Sequence, residues 1–207
     1  QQLGASKVTV SALREGINFV RHSEILLSTV LLDFVSTVFS SASALLPIFA
    51  TEVLKVGAQG LGILHAAQSA GAVAAGAIMS SMGEVKKKGA VVLVGLTIYA
   101  TATVIYGGSQ WFPLSILALA CVGAGDTISA ILRQTIRQMA TPDHLRGRMT
   151  SVVRIFSNGG PQLGNFEAGL VAALIGAQLS VITGGIANLI LIAVIAWRMP
   201  KLRNFES

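Results

Sequence analysis

Long apolar runs alternate with short polar segments along the chain, and each run is close to the ~20 residues that a membrane-spanning helix needs. Residues 56–83, 89–125 and 168–197 contain no Asp, Glu, Lys or Arg. Turn-forming residues at 107–113 and 176–178 divide the longer runs. The pattern therefore predicts an all-α membrane protein with six transmembrane helices, at about residues 25–50, 57–82, 90–107, 112–134, 151–175 and 179–197.

The composition supports this class. Of the 207 residues, 53% are hydrophobic and 12% are charged, about half the ~25% charged residues of a soluble domain. The net charge of +6 could indicate a nucleic-acid partner, but the basic residues form short clusters between the apolar runs. We therefore expect a lipid bilayer as a partner and no nucleic acid.

The basic residues also predict an orientation. Every Lys and Arg except Lys55 falls in segments on one side of the six predicted spans. The positive-inside rule places that side in the cytoplasm. We expect a multi-pass protein of the inner (cytoplasmic) membrane, with both termini, the loops at 83–89 and 135–150 and the tail at 199–207 on the cytoplasmic side.

Residues 1–24 precede the first predicted span. Val10, Leu13, Ile17 and Val20 recur at helical spacing among polar residues, which predicts an amphipathic helix on the cytoplasmic leaflet. A polar linker with incidental apolar residues is the alternative. The segment has no apolar signal-peptide core and no initiating Met, as expected of a chain that begins within a longer protein.

Ionisable residues inside the predicted spans are candidate functional residues, because each costs at least ~2.5–3.5 kcal/mol at a helix centre on insertion scales. Asp33, Asp126 and Glu167 are the candidates for transport or proton coupling. The alternative is that they pair with arginines or with the backbone, and it is favoured for Glu167, near the outer end of its span. A second group, in which packing or helix pairing is the simpler interpretation, comprises His65, Gln68, Arg133 and Arg154.

Enzymatic motifs are missing from the sequence. It contains no Gly-x-Ser-x-Gly, no His-Glu-x-x-His and no phosphate-binding Gly-x-x-x-x-Gly-Lys. His22 and His144 lie outside the predicted spans, where they could not assist a buried nucleophile, and Cys121 is the only cysteine. We expect no enzyme, no catalytic residues, no cofactor and no metal site.

Several segments together resemble a known family. They are Gly-Leu-Gly-Ile-Leu at 60–64, Gly-Ala-Gly-Asp at 123–126, Thr-Pro-Asp-His-Leu-Arg-Gly-Arg at 141–148 and Gln-Leu-Gly-Asn-Phe-Glu-Ala-Gly at 162–169. In order and spacing they resemble the C-terminal half of major facilitator superfamily transporters, in the enterobactin-exporter-like, macrolide-efflux-like branch. The resemblance covers about residues 13–203.

The resemblance implies a six-helix half-bundle, corresponding to helices seven to twelve of a twelve-helix transporter. It implies proton-coupled efflux of an amphipathic small molecule, of the drug or siderophore class, with an N-terminal six-helix half on the same or a companion chain as partner. The alternative is a transporter-derived subunit that does not transport and serves as a scaffold in a larger complex.

The resemblance also assigns the cytoplasmic loop motifs. The family's Gly-x-x-x-Asp-Arg-x-Gly-Arg-Arg loop corresponds to residues 76–88, but Ser80 and Ser81 replace its acid and its arginine. The residues that match the loop motifs are Gly76, Gly83, Lys86, Arg146, Gly147 and Arg148.

Asp33 and Asp126 are expected to lie at one depth. Each is eight residues from the cytoplasmic end of its predicted span, or roughly 12 Å. The resemblance makes these spans helices that line the central cavity. We therefore expect the two carboxylates to face one cavity, where they could take up a proton or a cationic group alternately.

Overall fold

The computed structural model of the chain describes residues 10–39, 43–83, 85–203 and 205. All the secondary structure in this part of the chain is helical. The main helices are α1 (Val10–His22), α2 (Glu24–Val38), α3 (Leu46–Ile48), α4 (Gly57–Ser81), α5 (Lys88–Gly108), α6 (Phe112–Ala140), α7 (Arg146–Ile175), α8 (Ala177–Arg198) and α9 (Pro200–Arg203). A π-helical turn, Phe49–Val53, continues α3, and a 3-10 turn, Asp143–Leu145, precedes α7.

Four of the described helices, α4, α5, α6 and α8, are long and apolar enough to cross a membrane. The chain is therefore an integral membrane protein with an all-helical fold. Helix α7 has 30 residues, but Asn158, Gln162 and Asn165 in its middle lower its hydropathy. Helix α2 has only 15 residues, about 22 Å of helix. Of the six predicted spans, the two that contain α2 and α7 therefore have weaker support as membrane-spanning helices.

The apolar runs locate three helices closely. Helices α4, α5 and α8 begin and end within two residues of the predicted spans 57–82, 90–107 and 179–197. Gly176 is the only residue between α7 and α8, and its φ of 90° is one that glycine adopts without strain.

The predicted loop at 135–150 is wrong in extent. Helix α6 continues to Ala140 and α7 already begins at Arg146, so residues 141–145 alone separate them. Hydrophobicity marks only the part of a helix that lies in lipid, whereas the hydrogen-bonded backbone continues into polar sequence. Pro142 follows the end of α6, where a residue without an N–H cannot continue the helix.

The predicted span at 25–50 is not one continuous helix. Helix α2 ends at Val38, helical structure resumes at Leu46, and residues 40–42 lie outside the described part of the chain. Pro47 stands in the first turn of α3, a position that needs no N–H donor.

Helix α6 lies against α4, α5 and α2, and α7 lies against α1, α2 and α8. The α4–α6 crossing depends on glycine. A Cβ atom on Gly71 would overlap the backbone of Ala120, and one on Gly123 would overlap the carbonyl of Gln68. The two helices therefore approach as closely as small residues permit in membrane bundles.

Helix α1 forms, as the periodicity of residues 10–20 predicts, but its described buried face is turned to α7. Val20 is buried in a cluster with Met149 and Val152. Gly16 lets α1 approach the backbone of Arg148, whereas Ile17 stays exposed. The side chains of Val10 and Leu13 lie outside the described residues. Val20 thus contacts α7 instead of the membrane leaflet. This is possible because Gly16, one turn before Val20, lets α1 and α7 approach closely.

Candidate functional site

A cluster of charged side chains joins α2 to α6. Asp33, on α2, forms ion pairs with two arginines of α6: Arg133 Nη2 lies 3.3 Å from Asp33 Oδ1, and Arg137 Nη2 lies 3.3 Å from Asp33 Oδ2. Both arginine side chains are almost completely buried, at 2% and 5% exposure. They are four residues apart and so share one face of α6.

Two further hydrogen bonds join Asp33 and Arg137 to neighbouring residues. The hydroxyl of Ser157, on α7, donates to Asp33 Oδ2 at 2.6 Å. Arg137 Nη2 also donates to the carbonyl oxygen of Thr29, one turn before Asp33 on α2, at 3.4 Å. The carboxylate of Asp33 is therefore the point at which α2, α6 and α7 are joined.

Asp126 belongs to the same cluster but lies at its edge. Its Oδ1 is 3.9 Å from Arg133 Nη2, the same nitrogen that contacts Asp33. The Asp126 side chain is 56% exposed, against 14% for Asp33. The two acids that the sequence singles out thus contact one guanidinium, which is the pairing with arginine that was the alternative to a shared cavity.

The charges in the cluster balance, but the hydrogen bonds do not. Two carboxylates face two guanidinium groups, which limits the large cost of burying ions in a protein. However, Nε and Nη1 of Arg133 and Nε of Arg137 are buried and donate no hydrogen bond to any described residue. Buried donors without an acceptor are costly, so these three groups reduce what the cluster contributes to stability.

Further polar side chains are exposed along the helices that carry this cluster. On α6 they include Asp126, Gln134 and Gln138. On α7, Asn158, Gln162 and Asn165 recur at four and three residues, so they share one face. A row of amides in the middle of a helix suits contact with water or with other polar groups rather than with lipid.

Helices α5 and α8 differ in this respect. Between residues 94 and 105 the exposed positions of α5 are aliphatic residues or threonines, as are those of α8 before Trp197. The Thr97 and Thr183 hydroxyls donate to carbonyl oxygens of their own helices, so they present little unsatisfied polarity. These surfaces suit contact with lipid.

The remaining candidates lie outside the charged cluster. His65 is exposed on α4, and one turn further Gln68 accepts a hydrogen bond from the Ser43 hydroxyl at 3.4 Å. Glu167 is half-buried on α7, ten residues beyond Ser157, or about 15 Å along the helix. Arg154 is exposed on α7.

The loop-motif residues have mostly local contacts. Arg146 pairs with Asp143 at 3.0 Å across the start of α7, and Arg148 forms an ion pair with Glu15 of α1. Gly76 of α4 packs beside Thr127 of α6. Three further motif residues are exposed, namely Gly83, Lys86 and Gly147.

Two members of the cluster were missed by sequence reasoning. Arg137 was counted with the cytoplasmic loop charges, although its position four residues after Arg133 places both on one helix face. Ser157 is 124 residues from Asp33 along the chain, and nothing in its local sequence indicates that contact. No set of three or more His, Cys, Asp and Glu side chains suited to a metal ion occurs among the described residues.

Residues 2–207 match a family model described as a transmembrane secretion effector, of the major facilitator type. No curated protein and no solved structure matches the chain.

Proposed function

The chain belongs to the transmembrane secretion effector family of major facilitator-type transporters, and we propose that it is the C-terminal six-helix bundle of an efflux transporter. The partner bundle is an N-terminal six-helix half, on the same or a companion chain. The branch that fits the motifs is the enterobactin-exporter-like, macrolide-efflux-like one. The substrate is an amphipathic small molecule of the drug or siderophore class, and protons drive its export.

The proposed topology adds α7 and the segment from α2 to Val53 to the four apolar helices. Both termini then lie in the cytoplasm of an inner-membrane protein, in accordance with the basic residues. After replacement of Cys121, an impermeant thiol reagent added outside cells should label a cysteine at Lys55 and spare one at Lys87. Labelling of position 87 from outside would reverse the orientation.

The observation that carries the proposal is the open carboxylate of Asp126 in the middle of α6. Asp126 is 56% exposed, and the amides of Asn158 and Gln162 are exposed on α7. Polar side chains at the middle of membrane helices face a protein interior or a water-filled cavity. In a transporter that works by alternating access, such a surface lines the path between the two bundles.

Efflux from cells that express the intact transporter tests this function. With ethidium as an amphipathic probe, we expect energised cells to extrude it and a protonophore to stop the extrusion. Asp126→Asn should reduce extrusion about tenfold or more, since it removes the open carboxylate while keeping its size. The matched control is Asp143→Asn, which removes an acid that pairs with Arg146 near the start of α7 and should extrude normally.

Two outcomes would contradict parts of the proposal. Wild-type extrusion by Asp126→Asn would remove this carboxylate from the coupling mechanism. Failure of the wild-type protein to extrude ethidium, macrolides or catecholate siderophores would favour the scaffold subunit, whose signature would be co-purification with a larger membrane complex.

A further inference from the structure

A cleft lies where α1, α2 and α7 meet. Its volume is about 160 Å³, and Arg21 is the only charged residue among those that line it. The side chains that α2 and α7 contribute are all apolar, namely Leu27, Val30, Leu31, Phe34, Val152 and Phe156. We call this space the apolar cleft. Because its lining offers so few hydrogen-bonding groups, an apolar occupant suits it better than water.

The apolar cleft follows the first part of α2. Leu27, Leu31 and Phe34 recur at four and three residues, so they share one helix face over about 10 Å. The rings of Phe34 and Phe156 lie edge to face, with their centroids 5.8 Å apart. Beyond these rings a Cβ on Gly164 would overlap the backbone of α2, so α2 and α7 are in direct contact there. The cleft therefore extends from the two rings toward α1.

A polar hollow adjoins the apolar cleft. Its lining residues all lie on α1, namely Arg14, Glu15, Ile17, Asn18 and Arg21. Ile17 and Arg21 line both spaces. Arg14 and Arg21 are seven residues apart, close to two helical turns, and therefore lie on one face of α1. Both arginines are exposed, and neither pairs with an acid in the described part of the chain, since Glu15 pairs with Arg148.

We propose that the polar hollow and the apolar cleft together bind one anionic phospholipid from the leaflet beside α1. One acyl chain occupies the cleft, and the phosphate lies between Arg14 and Arg21. Arg21 precedes the start of α2 by three residues, so the phosphate is held at the end of α2 where the cleft begins. In the proposed topology this leaflet is the cytoplasmic one, and only that assignment rests on the proposed function.

The charge and the length of the site both favour this ligand. A free anion would leave the apolar cleft without an apolar occupant, and a lipid without net charge would leave two arginines uncompensated. An anionic headgroup with an acyl chain satisfies both parts of the site. The stretch of about 10 Å along α2 also fits within one leaflet, because half of the hydrocarbon core is about 15 Å thick.

A photoactivatable lipid tests the site in the intact transporter. The protein is reconstituted in phosphatidylcholine liposomes that contain a small fraction of phosphatidylglycerol with a diazirine in one acyl chain. After illumination, mass spectrometry identifies the labelled peptides. We expect label in the α2 segment from Leu27 to Phe34 and in α7 around Val152 and Phe156. The same diazirine chain on a phosphatidylcholine headgroup should label these segments about fivefold less or weaker still, since each arginine near a membrane surface favours an anionic lipid by about that factor.

Substitutions separate the two parts of the site. Arg21→Gln should lower the labelling of these segments about fivefold, whereas Arg203→Gln, which removes an exposed arginine on α9, should leave it unchanged. Leu27→Trp places a larger side chain in the apolar cleft and should lower the labelling by a similar factor. Its control is Leu170→Trp, at a position on α7 that is 53% exposed and outside the cleft.

Three results would overturn the proposal. They are equal labelling by the two headgroups, unchanged labelling in Arg21→Gln, and label that is absent from the cleft segments, as would follow if the N-terminal half covered them. Thermal unfolding identifies a variant that fails to fold, and the decision then rests on the other variant and on the comparison of headgroups. The labelling requires no transport, so a protein that exports its substrate can still fail this test, and one that exports nothing can still pass it.

Discussion

The exposed sides of α6 and α7 differ from those of α5 and α8 in the side chains that lie behind them. Behind the first, Asp33, Arg133 and Ser157 join three helices through charges and hydrogen bonds. Behind the second, α5 and α8 meet through glycine: a Cβ on Gly185 would lie 2.7 Å from Val104 Cγ2. Glycine contacts lie behind the first surface as well, where a Cβ on Gly164 of α7 would lie 2.5 Å from the carbonyl oxygen of Val38 in α2. The charged cluster is therefore what distinguishes the first surface from the second.

The largest expected effect is the removal of the carboxylate at the centre of the charged cluster. Asp33→Ala leaves Arg133 and Arg137 buried with their main partner lost, which typically costs about 3–5 kcal/mol. We expect a large fall in the midpoint of thermal unfolding in detergent and poor recovery from membranes. Asp143→Ala, which removes an exposed acid, is the control. An unchanged midpoint for Asp33→Ala would mean that the cluster does not hold these helices together.

A carboxylate introduced on each surface tests which of the two surfaces contacts lipid. Ile190, near the middle of α8, is 58% exposed, and Ile190→Asp there should cost about 3 kcal/mol on insertion scales. Gln162→Asp, on the exposed face of α7, should cost far less, because that face already carries amides. Yield of inserted, monodisperse protein measures both. Equal losses from the two substitutions would show that both surfaces contact lipid.

Glycine substitutions give the smallest effects and opposite signs. Gly185→Ala forces a Cβ against Val104 and should destabilise the protein by about 1–3 kcal/mol. Gly169, on α7, has open space around its Cα hydrogens, so Gly169→Ala should stabilise that helix by up to about 1 kcal/mol. Thermal unfolding of the two variants provides the comparison. Stabilisation by Gly185→Ala would remove the evidence for close packing between α5 and α8.

The sequence predicted the apolar surface better than the polar one. The spans that became α4, α5 and α8 could be read from uninterrupted apolar residues between turn signals, which report directly on contact with lipid. Hydrophobicity says nothing about where a helix ends in water, so the C-terminal end of α6 and the beginning of α7 were missed, whereas the beginning of α6 and the end of α7 were predicted correctly. The end of α2 at Val38 lies inside the predicted span 25–50, so hydrophobicity did not mark that end either.

In the candidate site, the contacts between residues far apart in the sequence could not be predicted either. Asp33 and Asp126 could be selected because a buried charge is conspicuous in an apolar run, and their similar depth followed from helical rise. The pairing of Asp33 with Ser157 depends on how α2 and α7 pack, which no local pattern encodes. Arg137 had a usable signal in its four-residue spacing from Arg133, but its position near a predicted helix end concealed it.

Gly176 is a point at which α7 can rotate relative to α8. With a single residue between the two helices, α7 can turn about Gly176, and it extends 30 residues from that point with Pro161 inside it, about 45 Å of helix. Without bending at Pro161, a rotation of about 5° at Gly176 would carry the far end of α7 roughly 4 Å, given that length. That far end holds Arg148, whose ion pair with Glu15 would draw α1 along. A rotation about Gly176 that shifts α7 slightly near Ser157 would thus move the end of α7 that contacts α1 by a larger distance.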